Sequence, residues 1–494
     1  MRTAKELLKE LSYKVLQGDE NREIADLVYN TKEVKEKCLF VCIEGAVFDS
    51  HGAAEEIGER GACVLVVQRP VKVRKDVTVV LVENTRYALA LISAAYFFYP
   101  AQRLKVIGVT GTKGKTTATY MIRSILERAG IPTGLMGTIE IITGREHIPA
   151  GNTTPESYVI QKALARMVEA GCQVAVMEVS SQGLMLHRTA GIPFEIGIFT
   201  NIAPDHIGPN EHESFEEYMA WKGKLFRQCK LGLVNVDDAH WRQVLEGHSC
   251  RLETYGFSRE AQLRAEQLEL VNRPGYLGVR YQASGLLEAQ VEMDLPGKFS
   301  VYNSLAALGV CRHFGIPRES MVEALKGAQT KGRIERFPLP KDFTLLIDYA
   351  HNAMSLENLL LTLREYHPCR LVCVFGCGGN RSRLRRFEMG QVSGRLADFT
   401  IITSDNPRFE EPLDIIQDIK TGIQKTEGTY VEIPDRREAI RYALEHGRPG
   451  DVIVLAGKGH EDYQEIKGVK YPMDERILIG QILKELGWDC PDQV

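Results

Sequence analysis

Residues 108–117 read GVTGTKGKTT, following the apolar run LKVI (104–107) and preceding ATYMIRSILERAG (118–130). Three glycines, two lysines and four threonines in ten residues make a poor core strand and a poor helix. The setting is strand, loop, helix, and the loop closes on Gly114, Lys115 and Thr116. Glycines let successive backbone N–H groups curl around phosphate oxygens, and the following helix turns the positive end of its dipole toward them. Lys115 can reach the outer phosphates and the Thr116 hydroxyl can ligate Mg²⁺. The plainer reading, a chance glycine-rich turn, does not account for the lysine and threonine in that place. The stretch is a nucleotide phosphate site, and it predicts a parallel α/β sheet around it.

Working outward, 494 residues exceed one core and predict about three domains. The first block, 1–100, alternates β-like runs (CLFVCIEG, ACVLVV) with HGAAEEIGERG and the helical TRYALALISAAYFFYP, which is expected to run to Pro100. The second, 101–330, carries CQVAVMEVSS and EIGIFTNIAPDH, apolar runs that break into polar residues at the end where open sheets bind ligands. A hairpin turning near Ser284-Gly285 and two helical runs complete it. The third, 331–494, shows four strand candidates, FTLLIDYA, RLVCVFGCGG, FTIITSDNPR and DVIVLAGKGH, separated by helices. The fold class is therefore α/β: a small N-terminal domain, a central P-loop domain with a parallel sheet, and a C-terminal Rossmann-like doubly wound domain.

Composition narrows the function classes. Hydrophobic residues are 44% and charged residues 26%, with a net charge of −4, so nothing global argues for nucleic-acid binding. The start, MRTAKELLKELSYKVLQGDEN, lacks the apolar region of a signal peptide. No run approaches the roughly 18 apolar residues that span a bilayer. Eleven scattered cysteines, with Cys38/Cys42 and Cys373/Cys377 inside strand-like runs, read as buried free thiols in a reducing cytoplasm.

A P-loop alone does not choose between a switch, a motor, a kinase and a ligase. Beside it, Glu178 ends CQVAVMEVSS and can orient Mg²⁺, while Asp205 and His206 follow the next strand. GVTGTKGKTT, NTTPE, MEVSSQGLMLHR, TNIAPDH and YMAWKGKLF, in this order, together with DYAHN, FGCGGNR, SDNPR and AGKGHEDYQ, resemble the Mur ligases, the ATP-dependent amino-acid ligases of peptidoglycan synthesis. The resemblance spans nearly the whole chain.

It implies an enzyme in which ATP phosphorylates the D-Glu side-chain carboxylate of UDP-N-acetylmuramoyl-L-Ala-D-Glu and an amine displaces the phosphate. By resemblance, ATP falls to Gly108, Thr110, Gly111, Thr112, Lys113, Gly114, Lys115, Thr116 and Thr117, with Asn303, Arg333, Asp348 and His351 on the adenine and ribose. Lys115, Glu178, His206 and Lys222 are catalytic. Magnesium falls to Thr116, Glu178 and His206, bridged by a carbamyl group on Lys222. The nucleotide-linked substrate falls to Thr31, Asn152, Thr153, Thr154, Ser180 and Arg188. The chain departs from the family pattern at Gln182 and Leu186, at Asn30 and Lys32 around Thr31, at HNAMS after the Asp348–His351 stretch, and at Asn380.

The incoming amine falls to Arg381, Asp405, Asn406, Pro407, Arg408, Gly457 and Glu461. Members adding meso-diaminopimelate carry the tetrapeptide found at 405–408. A distal carboxylate suits a bidentate guanidinium, whereas the lysine ammonium would face Arg408 as a like charge. Glu461 can pair with the distal ammonium. Three alternatives stand beside this reading: the same reaction with L-lysine, a ligase like folylpolyglutamate synthetase, and a P-loop NTPase switch or binding module. The expected partners are ATP, the UDP-linked dipeptide and diaminopimelate, with no nucleic acid and no membrane insertion. The expected form is a cytoplasmic monomer.

Overall fold

A computed structural model describes residues 2–45, 47–205, 207–208 and 211–488. The chain divides into two compact units, one of residues 1–262 and 306–316, the other of 263–305 and 317–494.

The first unit opens with a five-stranded sheet. Lys14–Gln17 pairs antiparallel with Thr78–Leu81, and Ala62–Val67, Cys38–Val41 and Asp26–Val28 follow in parallel. Side chains alternate across this sheet as the pleat requires. Leu39, Val41, Val64, Val66 and Val80 pack on Leu89 and Ile92 of the helix Thr85–Tyr96, while Phe40, Leu65, Val67 and Val79 pack on Ile57. That helix ends at Tyr96, short of Pro100. Past Tyr96 the chain leaves the helix, and Phe98 and Tyr99 take left-handed φ of 60° and 53°.

The rest of this unit is a mostly parallel sheet. The phosphate-loop strand Lys105–Thr110 lies between Val174–Glu178 and Phe194–Phe199; Thr133–Met136 continues one side, Cys229–Asn235 and Arg251–Gly256 the other. Register sets Glu178 opposite Val109 and Phe199 opposite Thr110, so Glu178 and the phosphate loop share the carboxyl edge.

The second unit carries the antiparallel strands Leu263–Arg273, Tyr276–Gly285 and Ala289–Met293, with the expected turn after Gly285. Its main sheet has six strands. The four expected ones, Thr344–Asp348, Asp451–Ala456, Arg370–Phe375 and Phe399–Ile402, run parallel in that spatial order. Tyr430–Glu432 joins in parallel at one edge, and Glu335–Phe337 joins antiparallel at the other. Both are three-residue edge strands, too short to leave a periodic signal. Helices cover both faces, bringing Leu360, Met389 and Ile419 to one and Ile440, Leu444 and Ile482 to the other. Cys38, Cys42, Cys373 and Cys377 are buried free thiols. Among the described residues no helix is long and apolar enough to cross a membrane.

Candidate active site

The phosphate loop is held from outside by Asn201. Its backbone carbonyl accepts from Thr112 N at 2.8 Å, its side chain accepts from Lys113 N at 3.0 Å, and its amide donates to Lys113 O at 3.1 Å. Gly111 has φ of 148°, and a Cβ there would stand 2.0 Å from Thr200 Oγ1. Gly114, at φ of 86°, starts the helix Lys115–Arg128. Gly108 and Thr110 belong to the strand rather than the loop, and Gly108 gives room to the Phe194 ring. Lys115 Nζ donates to the carbonyls of Gly111 at 2.9 Å and Thr112 at 3.1 Å. Thr116 is buried in the first helical turn, with Thr117 beside it.

Lys222, on the helix Phe215–Gly223, is 1% exposed and donates to the same Gly111 carbonyl at 2.9 Å. Burial, and then the Lys115 charge, push its amine well below the ordinary lysine range. Its Nζ lies 4.5 Å from the ring centre of Tyr218, whose hydroxyl meets Thr112 Oγ1 at 3.1 Å and is pushed by burial up to about 12. His206 lies outside the described residues.

Glu178 ends its strand 1% exposed. It accepts from Thr138 N at 2.8 Å and Thr138 Oγ1 at 3.1 Å, and Thr138 meets Thr153 at 3.0 Å. Thr154 spans the next step, donating to Glu178 O and accepting from Ser180 N, each at 2.9 Å. Arg188 donates to Thr154 O at 2.9 Å and lies on Glu156 at 2.8 Å. Arg86 of the N-terminal sheet's helix reaches that same Glu156 at 3.4 Å. Lys115, Asn152, Thr153, Thr154, Ser180, Gln182, Arg188 and Lys222 line one cleft of about 150 Å³. Thr31 lies elsewhere, in a 3₁₀ turn that Asn30 caps, after Asp26–Val28.

In the second unit the Asp405–Arg408 stretch follows Phe399–Ile402. Asn406 Nδ2 donates to Glu461 Oε2 at 2.8 Å, and Lys458 Nζ donates to Asn406 Oδ1 at 3.0 Å and to Glu461 Oε2 at 2.7 Å. Burial opposes ionisation of Glu461, yet Lys458 and Asn406 hold it below the usual carboxylate range. Gly457, at φ of 111°, leaves space that a Cβ would take 2.8 Å from Asp405 Oδ2. A Cβ on Gly379 would stand 1.9 Å from Pro407 O. Arg408 Nη1 donates to Gly379 O at 2.8 Å. Arg381 is exposed, its Cγ 3.8 Å from a Cβ built on Gly378, where Arg408 Nη1 would be 3.4 Å away. The fully buried Arg436 pairs with Glu475 at 2.8 Å and donates to Ser404 O and Ala456 O, the residues just before Asp405 and Gly457.

Asp348 ends Thr344–Asp348 and accepts from Ile334 N and Ala350 N, each at 2.8 Å. Burial raises its pKa, and Arg333, stacked 4.9 Å over Tyr349, opposes that shift. His351 Nδ1 meets Tyr349 O at 2.8 Å, and Asn303 is buried in Lys298–Cys311.

Sequence reasoning passed over Asn201, Glu156, Lys458 and Arg436. Asn201, Glu156 and Lys458 stand inside the quoted motifs TNIAPDH, NTTPE and AGKGHEDYQ, whereas Arg436 carries no spacing signal. The glycine loop and helix start fit a nucleotide phosphate chain, and the oxygen donors Thr116 and Glu178 fit a hard cation such as Mg²⁺.

A phosphate loop sharing a cleft with a buried amine and an arginine defines a nucleotide-using enzyme. Profiles described as "Mur ligase middle domain" and "Mur ligase, glutamate ligase domain" match residues 109–311 and 332–459. The UDP-N-acetylmuramoyl-L-alanyl-D-glutamate--2,6-diaminopimelate ligase of Caldanaerobacter subterraneus subsp. tengcongensis is 42% identical over 481 residues, covering 97% of this chain and 98% of that protein. The ligase of the same name from Clostridium botulinum is 40% identical, covering 97% and 99%. A solved structure of a ligase so named matches at 27% identity with a TM-score of 0.71, covering 98% of this chain and 99% of that one. The chain belongs to the Mur ligase family, ATP-dependent ligases that form amide bonds.

Proposed function

We propose that this chain joins meso-diaminopimelate to the D-Glu side-chain carboxylate of UDP-N-acetylmuramoyl-L-Ala-D-Glu, converting ATP to ADP and phosphate. The carboxylate oxygen takes the γ-phosphoryl group, giving an acyl phosphate. The diaminopimelate amine attacks its carbonyl carbon, and the tetrahedral intermediate loses phosphate and a proton to leave the amide. The observation that carries this reading is the convergence of Lys115 and Lys222 on the Gly111 carbonyl, in the cleft that Arg188 also lines. The protein's part is positioning and charge neutralisation.

We assign Lys115 to the transferring phosphoryl group and Arg188, Ser180 and Asn152–Thr154 to the acceptor. Thr116 and Glu178, with His206, would hold magnesium, which supplies charge neutralisation at the phosphates. Lys222 is our site of carbamylation. Burial disfavours its charged form, the neutral amine is the form that adds CO₂, and the product offers anionic oxygens in place of a cation. Thr31 is assigned to the uridine side, and Asn303, Arg333, Asp348 and His351 to adenine and ribose. Asp405–Arg408, Arg381, Gly457 and Glu461 take the amine. We assign 1–100, 101–330 and 331–494 to the UDP-substrate, ATP and amino-acid domains of a cytoplasmic monomer.

Phosphate release with ATP, Mg²⁺ and the UDP-linked dipeptide tests the reading, run in parallel with meso-diaminopimelate, L-lysine and no amine. Turnover with diaminopimelate alone is expected. Turnover with lysine would overturn the amine assignment, and amine-independent turnover would overturn the ligase.

A further inference from the structure

Glu465 bonds through both its backbone groups and its side chain to the stretch assigned to the amine. Its backbone N–H donates to Asn406 Oδ1 at 2.9 Å, its carbonyl accepts from Arg408 N at 2.9 Å, and its carboxylate accepts from Arg408 Nε at 3.2 Å. The strand Tyr463–Ile466 is thereby laid alongside Arg408, and Ile466 forms a parallel bridge with it. Arg408 has φ of 54°, a left-handed conformation that a non-glycine residue holds only when its surroundings impose it. With Nε on Glu465 and Nη1 on Gly379 O, two anchors fix the guanidinium plane. Its Nη2 side is then the one left to meet a carboxylate.

We propose that Glu465 is a positioning and specificity-determining residue for the incoming amino acid: it sets the plane and tilt of Arg408 so that the guanidinium meets the distal carboxylate of diaminopimelate. This rests on the reading of Arg408 given above. Without the side-chain tie the guanidinium swings about its long stem, and each productive encounter costs the entropy of fixing it. The carboxamide of glutamine can still accept from Nε, so Glu465→Gln keeps the anchor while Glu465→Ala removes it. The Glu465 side chain is 23% exposed, so neither change opens the core.

The test is a double-mutant cycle on the full-length enzyme with Glu465→Ala, Glu465→Gln, Arg408→Ala and the Glu465→Ala/Arg408→Ala pair. KM for diaminopimelate and for ATP is measured with thermal unfolding. Glu465→Ala is expected to raise the diaminopimelate KM about tenfold and to leave the ATP KM within about twofold, with Glu465→Gln near the parent. In the Arg408→Ala background, removal of Glu465 is expected to add nothing. An unchanged diaminopimelate KM in Glu465→Ala, equal rises in both KM values, or additive effects in the pair would overturn the proposal. If Arg408→Ala itself leaves the diaminopimelate KM unchanged, the assignment of Arg408 has failed; if Arg408→Ala raises it and Glu465→Ala does not, only the role of Glu465 has.

Discussion

At the scale of single residues, Lys222 joins physics to chemistry most directly. A fully buried amine with a cationic neighbour is penalised in its charged form, so its pKa falls on folding. Below about 10.5 the unfolded chain binds a proton there that the folded chain, above its own depressed value, does not. Stability contributed by this group therefore rises with pH across that window. Lys222→Met, compared with unmodified parent in CO₂-free buffer, is expected to be inactive yet more stable at pH 7, by about 1–3 kcal/mol. The gain should shrink as pH approaches 10.5, and calorimetry over pH 7–10 checks it. A variant that is active, or a gain that grows with pH, would contradict the assignment. Nothing in YMAWKGKLF marked this lysine as buried; on a short helix it has the look of an exposed cation, and only the family resemblance separated it from Lys224.

At the scale of elements, the phosphate loop is a strand–turn–helix unit whose turn is braced by a neighbouring strand end. Asn201 makes three of those braces, two of them through its side chain. Asn201→Ala removes the side-chain pair and leaves Lys113 N to find water, while Lys113 O keeps the Thr200 hydroxyl at 2.7 Å. It is expected to raise the ATP KM several-fold and to cost roughly 1–3 kcal/mol of stability, read by steady-state kinetics and urea unfolding. An unchanged ATP KM would mean that the loop keeps its shape without the brace. The sequence revealed this unit well, because glycine, lysine and threonine at fixed positions have few other uses. It revealed helix ends less well: TRYALALISAAYFFYP reads as one run, and the helix yields at Tyr96, where the backbone turns left-handed at Phe98 and Tyr99. Tyr430–Glu432 and the buried Arg436 were not legible, since a three-residue edge strand and a lone arginine take their meaning from what they touch.

Across the whole molecule, the alternation of strands and helices disclosed the architecture, because a parallel sheet forces crossovers that write themselves into the chain. The division into units was less visible. Residues 263–305 cluster with the C-terminal part, although their sequence continues the central block without a break in composition. Both units carry carboxylates held low. Asp49 is partly desolvated, yet His51 and Arg69 hold it to about 2, and Glu253, Glu410 and Asp418 are lowered by arginine partners against burial. A carboxylate with a depressed folded pKa adds stability above its unfolded value and loses it as pH falls toward the folded one. The unfolding temperature is therefore expected to hold near neutrality and to drop between pH 4.5 and about 2, as a calorimetric pH series would record. A flat profile would show that these pairs are worth little.

The two stretches assigned to the amine, 405–408 and 457–461, are loops hung from the carboxyl ends of strands in one sheet, and a single buried guanidinium grips the backbone just ahead of each. Because Arg436 holds the roots of these loops by their carbonyls and not by their side chains, it is blind to the letters that follow. Mutation can rewrite both loops while their anchorage stays put. In evolutionary terms the C-terminal sheet is the frame and the two loops are the face it carries.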